Sequence, residues 1–95
     1  MGFKEVKHTV IKALAEGTFS HEPRAGSIDE KNKLATGEVT PEFVAGLIKR
    51  STGADYSCSP HHKAPAIEVH VIEKNDWYVK FYFLEPDTVF ISVHR

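Results

Sequence analysis

The sequence predicts an α+β fold in which two or three N-terminal helices pack on a three- to four-stranded antiparallel sheet. In the first half of the chain, apolar residues recur at spacings of three and four, as on one face of a helix. In the last third, apolar and polar residues alternate in three runs that only short turns separate. Because these strands follow one another without crossover helices, we expect them to pair in antiparallel fashion.

Two segments have clear helical features and a third has weaker ones. Phe3–Glu16 carries an apolar stripe and is followed by Gly17, a typical C-cap residue. Residues 27–37 open with Ser-Ile-Asp-Glu, which has the form of a capping box and predicts a short helix. Thr40 precedes Pro-Glu and an apolar stripe, which predicts a helix that ends near Gly53.

The remaining segments are assigned to strands and loops. Residues 18–26 contain proline and glycine and are predicted to form a loop, and residues 54–57 a short edge strand. Residues 66–73, 77–84 and 88–95 are predicted to form the three-stranded meander.

The alternation assigns the meander's side chains to two faces. The predicted buried face consists of Ile67, Val69, Val71, Trp77, Val79, Phe81, Phe83, Val89, Ile91 and Val93. The predicted polar face consists of Glu68, His70, Tyr78, Lys80, Tyr82, Ser92 and His94. Bases, hydroxyls and a cation on one open face indicate a site that handles phosphates.

Size and composition limit the possible classes. The 95 residues are predicted to form a single domain, residues 1–95. No apolar stretch approaches the roughly 20 residues that span a membrane, and the N-terminus lacks the apolar core of a signal peptide. The single cysteine, Cys58, cannot form an intramolecular disulfide. We therefore expect a cytoplasmic protein without membrane contact.

The charge of the chain is nearly balanced. A net charge of −1 argues against non-specific nucleic-acid binding, which usually requires a basic excess. The six histidines can charge near neutrality beside phosphates, and the late segment 61–95 carries several basic residues. A local basic patch is therefore compatible with the sequence.

Cys58, His61 and His62 are residue types that bind metals. Structural zinc sites usually need four ligands from paired motifs, and the sequence has no second pair at matching spacing. We therefore predict no metal and no cofactor, and we expect His61, His62 and Lys63 to contact phosphates instead. A Cys58 nucleophile with His61 or His62 as its base remains an alternative.

The second half of the chain also resembles a known family. The pattern lies in the helix from Thr40 to Ile48, in Asp55-Tyr56-Ser57, in Glu68-Val69-His70, in Trp77-Tyr78-Val79-Lys80-Phe81 and in Phe90-Ile91-Ser92-Val93-His94. On these residues the chain resembles the MqsR (motility quorum-sensing regulator) toxins, within the wider RelE-like superfamily of toxin–antitoxin ribonucleases. Such toxins have helices packed on an antiparallel sheet, cleave messenger RNA without a metal and are silenced by an antitoxin protein.

The resemblance implies roles for individual residues. Tyr78 and Lys80 match the family's Tyr-x-Lys pattern, and Tyr56 matches the tyrosine of a Tyr-Lys pair whose lysine is serine here. His94 falls where the family usually has a lysine, and His70 where it has a tyrosine.

Residue chemistry and resemblance together predict a metal-independent endoribonuclease, the toxin of a type II toxin–antitoxin pair, with RNA as substrate and an antitoxin as partner. His94 or His70 would act as base and acid, and Lys80, with Tyr78 beside it, would hold the phosphate. The predicted substrate-binding residues are Tyr56, His61, His62, Lys63, Tyr82, Ser92 and Arg95.

The alternative is a non-catalytic module of the same fold that binds a protein through its open sheet face. Tyr78, Tyr82 and Phe90 would then serve as exposed anchors. The sequence does not indicate the oligomeric state.

Overall fold

In the computed structural model, which describes residues 1–23 and 31–95, two α-helices lie on one face of a five-stranded sheet. The elements are α1 (Phe3–Glu16), β1 (Phe19–His21), α2 (Pro41–Arg50), a short 3-10 helix (Gly53–Asp55), β2 (Tyr56–Pro60), β3 (Glu68–Lys74), β4 (Trp77–Leu84) and β5 (Asp87–His94). The strand order is β1-β5-β4-β3-β2, with β1 parallel to β5 and all other neighbours antiparallel. The α+β class is confirmed, but the sheet is mixed and has more strands than predicted.

Helix α1 has the predicted bounds. Its buried stripe consists of Val6, Val10, Ala13 and Leu14. Gly17 ends it in the left-handed conformation, with φ of 77°, and donates its N–H to the carbonyl of Ala13.

Helix α2 begins as predicted and ends earlier. The Thr40 hydroxyl accepts the N–H of Phe43 at 3.0 Å and caps the helix. The helix ends at Arg50 rather than near Gly53, because Thr52 and Asp55 form a reciprocal capping box that starts the 3-10 helix.

The start of the predicted helix over residues 27–37 lies outside the described residues. In the described part of that segment, Lys33 to Gly37 form turns, and Asn32 bridges to Val93 of β5. Gly37 has a φ of 82°, which glycine adopts without strain.

The prediction of a loop over residues 18–26 was wrong for β1. Phe19 packs edge-on against Phe90 with ring centroids 5.6 Å apart, and the three residues of β1 pair with β5 in parallel. The strand is too short to show an alternating pattern, but it covers the edge that β5 would otherwise leave unpaired.

The prediction for the faces of β3 was also wrong. Its register places Val69 opposite Tyr82, and Ile72 opposite Val79. His70 and Ile72 therefore face the helices, while Val69 and Val71 lie on the opposite side, which we call the outer face. Both faces of β3 carry apolar residues, so alternation alone could not fix its orientation.

A β-bulge divides β5 between the two faces. Lys80 pairs with Ser92 and Phe81 with Phe90, so Ile91 is the extra residue. The predicted single buried face of Val89, Ile91 and Val93 is therefore split, with Val93 in the core under the helices and the other two on the outer face.

The core lies between the helices and the sheet. Its buried members are Val6, Val10, Leu14, Leu34, Val44, Ile48, Ile72, Val79, Phe81, Phe90 and Val93. A smaller apolar cluster of Val69, Tyr82, Val89 and Ile91 occupies the outer face, with Ile67 against it.

Neither helix of the described residues is long and apolar enough to cross a membrane.

Candidate functional site

Polar side chains form a stripe along β4 and β5 on the outer face. The pairing places Tyr78 opposite His94 and Lys80 opposite Ser92, as strand alternation predicts. The rings of Tyr78 and His94 stack with their centroids 5.2 Å apart. One end of the sheet thus presents a phenol, an imidazole and an ammonium together, whereas the predicted substrate-binding residue Ser92 is buried, at 4% exposure.

Beyond Lys80, the stripe leads into a cavity of about 250 Å³. The cavity is lined by Glu22, Ser59, Pro60, His61, His62, Val69, Lys80 and Ile91. The end of β2 and the residues after it form one wall, and Glu22, just after β1, forms another. A carboxylate, two imidazoles and an ammonium therefore line one concave surface.

Glu22 is held by two hydrogen bonds to the same oxygen. Its Oε1 accepts the hydroxyl of Tyr82 at 3.2 Å and lies 3.2 Å from Nε2 of His61. The Glu22 side chain is 27% exposed, whereas that of His61 is 10% exposed. The carboxylate is thus oriented by the protein and still reaches solvent.

The Tyr82 hydroxyl acts as a donor in this network. Burial raises the pKa of Tyr82, and the charge of Glu22 and its hydrogen bond raise it further. Tyr82 therefore keeps its proton at neutral pH and donates a hydrogen bond to Glu22.

His61 is fixed by the backbone that follows it. Its Nδ1 accepts the N–H groups of Lys63 at 3.1 Å and Ala64 at 3.3 Å, which leaves Nε2 to donate to Glu22. His62 stacks on His61 with centroids 5.5 Å apart and is exposed. Of the two adjacent histidines, His62 is the one whose ring nitrogens have no hydrogen-bond partner among the described residues.

Two other predicted site residues, His70 and Tyr56, lie on the helix side of the sheet. His70 is 2% exposed, and its Nδ1 lies 2.8 Å from the hydroxyl of Tyr56. The two rings stack 5.9 Å apart, and Phe3 packs against Tyr56. His70 and Tyr56 were predicted to share a site with Lys80, but the sheet separates them from it.

Burial sets the titration of this pair. Burial lowers the pKa of His70, although the charge of Glu68 opposes the shift. Burial and the neighbouring Cys58 raise the pKa of Tyr56 to about 12. A neutral imidazole bonded to a protonated phenol is a satisfied core pair, so a structural role explains both residues.

Arg95 also lies away from the stripe. Its guanidinium is 5.8 Å from the ring centroid of Trp77, a cation–π distance. Trp77 itself packs on Phe43 of α2, so this contact is on the helix side. The predicted role of Arg95 in substrate binding therefore does not fit its position.

The cysteine and histidines that suggested a metal do not converge. Cys58 is exposed on β2 and lies opposite His70, whereas His61 and His62 follow the end of the strand. Across residues 1–23 and 31–95, no three His, Cys, Asp or Glu side chains are close enough to hold a metal ion.

The anchors of the predicted protein-binding face are mostly buried. Phe90 is fully buried on the helix side, and Tyr82 is 9% exposed in the outer apolar cluster. Tyr78 is partly exposed, and its ring is already stacked on His94.

Glu22 was missed from the sequence. It follows a strand of three residues inside a segment with loop composition, so no periodicity marked it.

The chain matches none of the protein-family models, curated proteins or solved structures with which it was compared.

Proposed function

We propose that the protein is a metal-independent endoribonuclease whose site is the outer-face cavity and the adjoining polar stripe. The observation that carries the proposal is the convergence of Lys80, His62 and Glu22 on one cavity of about 250 Å³. These residue types supply a cation for a phosphate and two groups that transfer protons. That the enzyme is the toxin of a type II toxin–antitoxin pair rests on the sequence resemblance alone.

The proposed reaction is a transesterification within the RNA strand. The 2′-oxygen of one ribose attacks the adjacent phosphorus, and the bond from phosphorus to the 5′-oxygen of the next nucleotide breaks. The 2′-hydroxyl loses a proton to a base, and the leaving 5′-oxygen gains one from an acid. The products are a 2′,3′-cyclic phosphate and a free 5′-hydroxyl.

Lys80 suits the centre of this reaction. It belongs both to the polar stripe and to the cavity lining. An ammonium at this position stabilises the charge that builds up on the phosphoryl oxygens in the transition state. We therefore assign Lys80 to transition-state stabilisation.

The rest of the stripe suits the neighbouring phosphate. Tyr78 lies two residues from Lys80 on the same face of β4, a spacing of about 7 Å. His94 and Ser92 lie opposite these two residues on β5. The Tyr78 hydroxyl and the His94 imidazole are donors that position an RNA backbone without selecting its sequence.

The chemistry can be tested with an RNA strand and a DNA strand of the same sequence. We expect the protein, in EDTA, to cleave a single-stranded RNA and to leave cyclic phosphate and 5′-hydroxyl ends that mass spectrometry identifies. A strand of the same sequence with 2′-deoxyriboses throughout should remain intact, because it lacks the nucleophile. Cleavage of the deoxy strand, or products with 5′-phosphate ends, would exclude this mechanism.

A further inference from the structure

The two carboxylate oxygens of Glu22 differ in their hydrogen-bond partners. Tyr82 and His61 both donate to its Oε1, and Oε2 has no hydrogen-bond partner among the described residues. Two donors on one oxygen fix the direction of the carboxylate plane and leave the lone pairs of the other oxygen available. An oriented carboxylate with one free oxygen is the arrangement that a general base requires.

The other nearby groups are less suited to accept a proton. Both nitrogens of His61 are engaged, one by two backbone N–H groups and one by Glu22. His94 lies at the far end of the stripe and is not among the residues that line the cavity. His62 lines the cavity, and its ring nitrogens have no hydrogen-bond partner in the part of the chain that the structure describes, so it can supply the proton for the leaving oxygen.

We propose that Glu22 is the catalytic base of this site, with His61 and Tyr82 as the positioning residues that orient it. The assignment rests on the proposed ribonuclease activity. Oε2 of Glu22 takes the proton of the 2′-hydroxyl as the 2′-oxygen bonds to phosphorus. His62 gives a proton to the 5′-oxygen as its bond to phosphorus breaks, so one proton is taken up and one is released.

The charge of Glu22 is compatible with an RNA substrate in this setting. A carboxylate repels phosphates, but Lys80 lines the same cavity and offsets that charge. The two donors to Oε1 also disperse the negative charge away from Oε2.

The test compares Glu22→Gln with the parent in both cleavage and binding. Gln keeps the size of the side chain and an oxygen for Tyr82 and His61, but it cannot accept the proton. We expect kcat to fall by about 100-fold or more, the usual contribution of a general base. Affinity for a 2′-O-methyl RNA, which cannot be cleaved, should stay within about threefold, since general-base catalysis acts on the transition state. Glu16→Gln makes the same charge change at the exposed end of α1 and should cleave like the parent.

Each outcome of this experiment decides the assignment. A Glu22→Gln variant that cleaves at the parental rate would overturn the role of Glu22 and leave the proposed ribonuclease standing. A parent that does not cleave would overturn the proposed function, and the base assignment with it.

Glu22→Asp guards against a folding artefact, because it keeps a carboxylate. It should be more active than Glu22→Gln, and equal activity of the two would contradict the proposal.

The positioning role has its own readout. Tyr82→Phe removes one donor from Oε1 and keeps the ring in the apolar cluster. We expect kcat to fall about tenfold, the effect of one hydrogen bond to a charged group, with KM unchanged. A rise in KM at unchanged kcat would show that Tyr82 binds substrate instead.

Discussion

At the scale of single residues, the sheet separates two histidines that look equivalent in the sequence. His70 and His94 both alternate with apolar residues, yet His70 lies under the helices and His94 on the outer face. Tyr56 allows His70 to be buried, because the Tyr56 hydroxyl forms a hydrogen bond of 2.8 Å with Nδ1 of the His70 ring. A buried polar group that has a partner stabilises a core, whereas one without a partner destabilises it.

The pair can be tested by removing one hydroxyl. Tyr56→Phe leaves the buried His70 ring without its partner, so we expect the free energy of unfolding to fall by about 1–3 kcal/mol. Urea titration measures the change. Tyr78→Phe, the matched control on the outer face, should change stability by less than about 0.5 kcal/mol. Equal effects of the two substitutions would show that the bond to His70 contributes nothing to stability.

At the scale of elements, the register of β3 decides which residues reach the cavity. Because Val69 faces outward, it lines the cavity together with Lys80. The bulge in β5 likewise turns Ile91 into the cavity wall while Val93 stays in the core. Two departures from simple alternation therefore shape the proposed site.

The orientation of β3 can be measured by truncating adjacent residues. Ile72 is fully buried among core residues, so Ile72→Ala should lower the free energy of unfolding by about 2–5 kcal/mol. Val71 is partly exposed on the outer face, and Val71→Ala should cost less than about 1 kcal/mol. The comparison uses urea unfolding of both variants. A larger loss for Val71→Ala than for Ile72→Ala would contradict this register and support the predicted orientation, in which Val71 faces the core.

At the scale of the whole molecule, we expect the fold to be more stable at neutral pH than in mild acid. Burial lowers the pKa of both His70 and His21 in the folded protein. Between the ordinary histidine pKa of about 6.5 and these lowered values, the unfolded chain binds more protons than the folded one. The free energy of unfolding should therefore decrease as the pH falls below about 6.5.

This pH dependence can be assigned to a residue. His70→Gln keeps an acceptor for Tyr56 but does not titrate, so the loss of stability between about pH 7 and pH 5 should become smaller. His8→Gln removes an exposed histidine of α1 and should leave the slope as it is in the parent. Urea titrations across this range provide the slopes. A His70→Gln variant with the parental slope would place the acid sensitivity elsewhere.

The sequence predicted the elements of the molecule better than their faces. α1, α2 and the three long strands were predictable, because caps and periodicity are local signals. β1 and the bulge at Ile91 were not, because they depend on pairing with distant residues. The same limit applies to the site, since Lys80 followed from alternation but Glu22 depends on where β1 lies in the sheet.

The measurement that tests the proposed ribonuclease most directly is cleavage of a long single-stranded RNA in EDTA by three proteins purified in parallel. We expect the parent to cleave and Lys80→Ala to lose activity by about 100-fold or more, because the ammonium stabilises the transition state. Lys4→Ala, which removes the same charge from the exposed side of α1, should cleave like the parent. Intact RNA with the folded parent, or equal cleavage by the parent and Lys80→Ala, would contradict the assignment of this face as the catalytic site.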